Sequence, residues 1–241
     1  MPIKQRTLFL DFGTHEATEI RSLLCGNPLS RAWLAKSSLI HDRSISGLRN
    51  LWSYTWGASL PSSVIQQIDL VMVEPFATDG IAQVISSRAF GSTLFINAVV
   101  SESHDVLKTL YLAKDSLGHS VYRSKPRLSG RSVDVLNINI SNLIELVVGD
   151  RRSRAWDKII VRLNIEGAEV DVLDSILSNA DLIDSDFLFM GSLGDIEKCH
   201  GTAVLKKYES LLSRFERRFV WFTSNPNSWH LARKGVVEFL Q

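Results

Sequence analysis

Five short apolar runs constrain the fold of this chain more than any other feature of its sequence. They lie at Thr7–Phe12, Asp69–Val73, Thr93–Val100, Ile159–Leu163 and Phe187–Met190. Runs of this length with few polar residues are typical of strands that are buried on both faces. The chain has 241 residues, 45% of them hydrophobic, which is enough to bury one sizeable core.

Amphipathic segments between these runs predict helices. Apolar side chains recur at helical spacing over Ala17–Leu24, Asp79–Ser87, Val170–Leu177 and Val204–Phe215. The sequence Gly26-Asn27-Pro28 is typical of a helix end and closes the first of them. Strands that alternate with helices predict an α/β fold, in which a mostly parallel sheet is covered on both faces.

Four further segments predict antiparallel or edge strands. Apolar and polar residues alternate over Leu107–Val121 and Ser132–Ile140, as they do in strands with one exposed face. Near the C-terminus, Phe219–Phe222 and Gly235–Leu240 flank a turn-rich stretch at residues 224–228. We expect these last two to form an antiparallel unit at the edge of the sheet.

We expect residues 1–241 to form a single domain with an insertion at about residues 29–68. This segment is less regular than the rest and carries Trp33, Trp52, Tyr54 and Trp56. Clustered aromatic side chains line a core or an interface more often than a ligand site. The segment is expected to hold one or two helices, either as a lid over a cleft or as a subunit contact. The sequence leaves the oligomeric state open.

Composition excludes several classes of partner. The net charge is +1, so no nucleic-acid partner is expected, and Arg151-Arg152-Ser153-Arg154 is interpreted as a solvated loop. No apolar run reaches the ~20 residues of a membrane span, and the N-terminus lacks the pattern of a signal peptide. Cys25 and Cys199 are far apart, and no His or Cys spacing indicates a metal site. We therefore expect a soluble, cytoplasmic protein without a bound metal.

Polar residues gather where the predicted core strands end. They are Asp11 and Gly13 after the first strand, Glu74 after the second, Asn97 near the end of the third, and Asn164 and Glu166 after the fourth. In open α/β sheets, ligands bind beyond the carboxyl ends of the strands. The sequence therefore predicts a ligand site at that edge.

The turn after the first strand contains one glycine, Gly13. A dinucleotide site uses the pattern G-x-G-x-x-G so that the backbone can approach a pyrophosphate, and that pattern is absent. A nicotinamide-dependent enzyme is therefore disfavoured. Asp11 and Thr14 belong either to a site for a ligand without pyrophosphate or to a cap of the following helix.

Two carboxylates at the predicted edge have alternative roles. Glu74 either accepts hydrogen bonds from a ribose diol or serves as a helix cap or ion-pair partner. Glu166 either accepts a proton or interacts with the dipole at the start of a helix. Asn164 cannot titrate, and Gly167 fits close helix packing or close approach of a ligand. His15, in the first turn, is a further catalytic candidate.

Four segments together resemble the FkbM-type methyltransferases, a family of class I S-adenosylmethionine-dependent enzymes. They are LFLDFGTHEAT at Leu8–Thr18, VMVEPF at Val71–Phe76, FINAVVS at Phe95–Ser101 and VRLNIEGAEVDVL at Val161–Leu173. The last corresponds to the family pattern Lys-x-Asp-x-Glu-Gly-x-Glu. The resemblance implies a Rossmann-like class I methyltransferase sandwich with a seven-stranded sheet, one strand of which is antiparallel.

The resemblance also implies where S-adenosylmethionine would bind. Asp11, Gly13 and Thr14 would lie against its methionine part, Glu74 with Pro75 at its ribose, Asn97 and Ala98 near its adenine, and Asn164 and Glu166 at the reacting centre. The implied activity is methylation of a hydroxyl group on a sugar, a glycolipid or a small metabolite.

The expected catalytic residues are Glu166 and Asn164, which the resemblance places at the reacting centre, and His15, which lies in the first turn. Glu166 is the first choice of base, with His15 second. Asn164 stands where the family has aspartate, and an amide cannot accept a proton. The alternative is therefore a catalytically silent methyltransferase-like domain that binds a partner or regulates it. Restoring the aspartate with Asn164→Asp discriminates between the two.

Overall fold

The computed structural model describes residues 6–15, 17, 20, 60–114, 118–149, 156–179, 186–215, 219–222 and 235–240. Most of the helix predicted over Ala17–Leu24, the insertion up to residue 59 and the turn at 224–228 lie outside the described residues.

The described chain contains both strands and helices. The strands are Thr7–Phe12 (β1), Ile68–Val73 (β2), Ser92–Ile96 (β3), Val99–Ser101 (β4), Leu107–Ala113 (β5), Leu128–Asn139 (β6), Lys158–Leu163 (β7), Asp186–Ser192 (β8) and Phe219–Phe222 (β9). The helices are Ser62–Ile65 (α1), Asp79–Ser87 (α2), Ile140–Val148 (α3), Glu169–Ser178 (α4), Gly194–His200 (α5) and Thr202–Leu212 (α6), followed by a 3₁₀ turn at Ser213–Phe215. Residues 235–240 are also helical.

A parallel sheet forms the centre of the molecule. Its strands lie in the order β3-β2-β1-β7-β8, and β9 extends it at the β8 edge. Every pairing is parallel, with Thr7 of β1 opposite Ile68 of β2 and Lys158 of β7. The predicted α/β fold with a mostly parallel sheet is confirmed. The chain leaves β1 on one side to form β2 and returns on the other side to form β7, so the strand order reverses beside β1.

Apolar side chains pack on both faces of this sheet. Along β1, Leu10 and Phe12 join a core with α3, α4 and α6, whereas Phe9 joins a second core with α2 and residues 235–240. The alternation follows from the pleat, which directs successive side chains to opposite faces. Each such fully buried side chain stabilises the fold by about 1.5–3 kcal/mol. The strand β1 therefore lies between two packed layers.

A small mixed sheet follows β3. In it β4 pairs with β6 in parallel and β5 pairs with β6 antiparallel. The antiparallel or edge strands predicted over Leu107–Val121 and Ser132–Ile140 are thus present with other bounds. The prediction of one strand over Thr93–Val100 is wrong, because the chain turns at Asn97 and changes sheet. The Asn97 side-chain amide donates to the carbonyls of Glu74 and Pro75, which fixes that turn.

The predicted antiparallel unit at the C-terminal edge is wrong. The strand β9 runs parallel to β8, because α5 and α6 carry the chain back across the sheet before it pairs. Residues 235–240 form a helix that buries Val236, Val237 and Leu240, which share one helical face. The main sheet has six strands in the described residues, against the seven that the resemblance implies.

Two helices, α3 and α5, were not predicted. The side chain of Asn139 caps α3 by accepting a hydrogen bond from the Asn142 amide at 3.0 Å.

No helix in the described ranges has the length and apolar character that a membrane crossing requires.

Candidate functional site

The backbone at the end of β1 is joined to both neighbouring strands. The Gly13 amide donates to the Val73 carbonyl at 2.9 Å, and the Asn164 amide donates to the Phe12 carbonyl at 3.0 Å. Gly13 has a φ of +75°, and a Cβ there would lie 2.0 Å from the Asn164 carbonyl oxygen. This turn therefore requires glycine both for its conformation and for its space.

The Asp11 side chain, near the end of β1, forms a buried ion pair. Arg162, directly opposite on β7, donates through Nη1 to Asp11 Oδ1 at 2.5 Å. The two residues are 1% and 2% exposed. A charge removed from water to this degree needs a partner, and Arg162 supplies it. The pair therefore ties the ends of β1 and β7 together. Next to it, the Thr14 hydroxyl donates a hydrogen bond to the Asp11 carbonyl at 2.9 Å.

Glu74 is a nearly buried carboxylate at the end of β2. It is 8% exposed, and its Oε2 accepts a hydrogen bond from the His15 amide at 2.9 Å. Burial raises the pKa of Glu74 to about 7, and the charge of Asp11 adds to the rise. The backbone amides of His15 and Phe76 and the charge of Arg162 pull that pKa down, but burial outweighs them.

Asn97, Pro75 and Ala98 lie beside Glu74. The exposed Asn97 side chain donates to the carbonyls of Glu74 at 3.2 Å and Pro75 at 2.9 Å. The Ala98 side chain is buried, and its amide donates to the Ile96 carbonyl at 3.0 Å. In the structure these three residues shape the turn between β3 and β4 against the end of β2.

The turn from β7 into α4 is held by the buried carboxylate of Glu169. It accepts from the Ile165 amide at 3.0 Å and from the Gly167 amide at 2.6 Å. Burial raises the pKa of Glu169 to about 7, and the nearby charge of Asp195 contributes. Gly167 has a φ of +112°, and a Cβ there would lie 2.4 Å from Cys199 Sγ on α5. Gly167 thus permits close packing against α5, a contact that the sequence did not indicate.

Glu166 follows β7 in the same turn and forms an ion pair with Lys125. It has a φ of +59°, which is uncommon for a residue with a side chain. Lys125 donates to Glu166 Oε2, and only 8% of the Lys125 side chain is exposed. Burial lowers the pKa of Lys125, while Asp195, whose Oδ1 is 3.9 Å from the Lys125 ammonium, opposes that shift. Lys125 was not predicted from the sequence, because no local pattern links it to a residue 41 positions away.

His15 contributes its backbone to this edge. Its amide donates to Glu74, its carbonyl accepts from the Thr78 hydroxyl at 2.9 Å, and its φ is +50°. The left-handed turn at His15 and the Glu74 carboxylate therefore hold each other in place.

Residues 118–127, which we name the cover segment, lie across this edge. The His119 ring packs edge-on against Phe76, which follows β2, with ring centroids 5.5 Å apart. The Ser120 hydroxyl donates to the carbonyl of Glu166, which follows β7, at 2.7 Å. Because β1 lies between β2 and β7, the cover segment crosses the end of β1.

The structure thus brings most of the predicted site residues to one edge of the sheet. Gly13, His15, Glu74, Asn164 and Glu166 all follow the carboxyl ends of β1, β2 and β7, where the strand order reverses. Such switch points are where open α/β sheets bind ligands. Among the described residues, no group of three or more His, Cys, Asp or Glu side chains is placed to hold a metal ion.

No protein-family model, no curated protein and no solved structure matches this chain. The resemblance to FkbM-type methyltransferases therefore stays a prediction, which rests on the motif residues.

Proposed function

We propose that this chain is an S-adenosylmethionine-dependent methyltransferase of the class I type. Its acceptor would be a hydroxyl group of a sugar, a glycolipid or a small metabolite. The observation that carries the proposal is the Glu74 carboxylate, buried at the end of β2 and held by the backbone of the β1 turn. It lies beside the switch point of a sheet whose strands follow the order of doubly wound folds.

The residues at this edge fit the cofactor. A carboxylate has two oxygens that accept hydrogen bonds, and the described contacts of Glu74 are with two backbone amides, those of His15 and Phe76. It therefore retains capacity for the two hydroxyl donors of a ribose. Gly13 lets the β1 turn lie directly against the end of β7, where a Cβ would be 2.0 Å from the Asn164 carbonyl oxygen. Asp11 would contribute indirectly, because it is bound to Arg162.

When bound, S-adenosylmethionine would supply an electrophilic methyl group on a sulfonium. The task of the chain is then to hold the acceptor hydroxyl in line, and positioning alone supplies ~7–11 kcal/mol in favourable cases. We assign Glu166, held in place by Lys125, as the group that takes the hydroxyl proton, with His15 as the second candidate. General-base assistance contributes ~10²–10⁴-fold.

Calorimetric titration with S-adenosylhomocysteine tests the proposal. We expect the wild-type chain to bind it, and Glu74→Gln to weaken binding by about 1.5–3 kcal/mol, the contribution of a hydrogen bond to a charged group. The matched control is Glu145→Gln, an exposed carboxylate on α3 that should not change affinity. A folded wild-type chain that does not bind S-adenosylhomocysteine contradicts the proposal.

The second candidate function is a methyltransferase-like domain without turnover, which binds a partner or regulates it. Two observations favour it. Asn164 is an amide at the predicted reacting centre, and the Glu166 carboxylate is already paired with Lys125. Methyl transfer gained by Asn164→Asp from a silent wild type supports this candidate, whereas loss of existing turnover supports the enzyme.

A further inference from the structure

The cover segment and the start of β6 concentrate positive charge. Residues 118–131 contain Arg123, Lys125, Arg127 and Arg131 and no aspartate or glutamate. The whole chain has 27 basic and 26 acidic residues, so this local imbalance is not a property of the overall composition.

The contacts of the cover segment fix the backbone on both sides of Lys125, which pairs with Glu166 at the carboxyl edge of the sheet. Arg123 lies between Tyr122, whose hydroxyl donates to Asp171 at 2.8 Å, and Ser124, whose hydroxyl donates to the Cys199 carbonyl at 2.9 Å. At the other end, the Lys114 amide donates to the Arg127 carbonyl at 3.1 Å. Arg123 is therefore held by its neighbours beside the turn that follows β7, and Arg127 is held through its own carbonyl at the end of β5.

The charges of these two arginines are not used within the described structure. Lys125 between them is buried against Glu166, but Arg123 and Arg127 are exposed and form no ion pair with another described residue. Arg127 also has a φ of +66°, a conformation that costs a non-glycine residue about 1–2 kcal/mol. Strained backbone of this kind clusters at ligand-binding sites.

We propose that the cover segment binds an anionic group, a phosphate or a carboxylate, through Arg123 and Arg127. The planar guanidinium offers paired donors that match both anions. The identification of this anion as part of the methyl acceptor rests on the proposed function. The acceptor class is then a phosphorylated or carboxylated hydroxyl compound, such as a sugar phosphate or a sugar acid.

Titration of the full chain with inorganic phosphate tests the anion site. The double variant Arg123→Gln with Arg127→Gln should bind phosphate at least about tenfold more weakly, since it loses two charged donors. The double variant Lys206→Gln with Lys207→Gln removes the same charge from α6 and should keep the wild-type affinity within about twofold. Circular dichroism and the unfolding midpoint show whether each variant is folded.

The result that overturns the inference is a wild-type chain that does not bind phosphate, or equal losses in the two double variants. If the arginine variant does not fold, Arg123→Lys tests the same point, because lysine keeps the charge but loses the paired donors. Phosphate affinity unchanged in a folded Arg123→Lys variant also counts against the inference.

Two further titrations separate the sources of the anion and the two proposals. The first compares the affinities of three sugars that carry a phosphate, a carboxylate or no charge: glucose 6-phosphate, glucuronate and glucose. Glucose is expected to bind most weakly. S-adenosylhomocysteine is titrated into the same wild-type sample. If the wild-type chain binds phosphate but not S-adenosylhomocysteine, the methyltransferase proposal is contradicted and the anion site remains. If it binds S-adenosylhomocysteine but not phosphate, only the anion site is contradicted.

Discussion

Replacing Gly13 with alanine should destabilise the fold more than the same change at a glycine of similar backbone conformation. Two effects add at Gly13. A left-handed φ costs an L-residue about 1–2 kcal/mol. In addition, the new Cβ would lie 2.0 Å from the Asn164 carbonyl oxygen and 2.7 Å from its carbon, so the end of β7 must move.

That movement strains two hydrogen bonds. They join Gly13 to Val73 and Asn164 to Phe12, and each contributes about 0.5–1.5 kcal/mol net. The expected loss is therefore about 3–4 kcal/mol, a large part of the 5–15 kcal/mol typical of a domain. Gly130 is the control, because its φ is +82° and no described residue other than its chain neighbours has an atom within 4 Å of the position that a Cβ would take there. Gly130→Ala should cost only about 1–2 kcal/mol.

Urea unfolding of both variants, followed by circular dichroism, measures the difference. We expect the free energy of unfolding of Gly13→Ala to be about 2 kcal/mol lower than that of Gly130→Ala, with an unchanged m-value. Equal stabilities would refute the close approach of β1 and β7 as the reason for glycine at position 13.

Three further predictions concern buried charges. Binding of S-adenosylhomocysteine should tighten about tenfold between pH 6 and pH 8, because the Glu74 carboxyl with a pKa of about 7 must lose its proton, and Glu74→Gln should remove that dependence. The pKa of Glu169 is raised from 4.5 to about 7, so its contribution to stability is complete below pH 4.5 and is lost as the pH rises through 7. Urea unfolding at pH 5 and pH 8 should show a loss of up to roughly 3 kcal/mol that is smaller in Glu169→Gln. Asp11→Leu or Arg162→Met alone should cost about 3–5 kcal/mol and the double variant less than their sum; additive losses in unfolding experiments would contradict a coupled pair.

The elements that were predicted with correct bounds are those with an unambiguous local pattern. The strand Thr7–Phe12 and the helix Asp79–Ser87 have the bounds expected from the sequence. The strand is one short apolar run, the helix has apolar side chains at helical spacing, and each has a clear boundary signal. For the helix that signal is Thr78, whose side chain accepts from the Ile81 amide.

The errors have physical causes that a local pattern does not show. The run Thr93–Val100 is apolar throughout apart from Thr93 and Asn97, and the side chain of Asn97 turns it by binding two carbonyls of another strand end. Residues 235–240 contain one polar residue, Glu238, and form a segment too short for periodicity to separate strand from helix. Their helical form is fixed by packing on the sheet.

The candidate site was predictable in part for the same reasons. Gly13, Glu74 and Asn164 follow strands that the sequence reveals, and parallel pairing brings strand ends together. The partners of the charged groups were not predictable. Arg162 lies 151 positions from Asp11, and Lys125 lies 41 positions from Glu166, so only the assembled sheet pairs them.

The crossing of the cover segment over the end of β1 makes the candidate site a late product of folding. Its parts come from the first strand, the second strand, the β5–β6 connection and the turn after β7, which are spread over some 150 residues of chain. No fragment that lacks one of these parts can display the whole site. A ligand bound there would therefore protect the entire domain, by about 2.7 kcal/mol at a concentration of 100 times its Kd. Slowed amide exchange should then extend through β1, β2 and β7 rather than stop at the contacting turns.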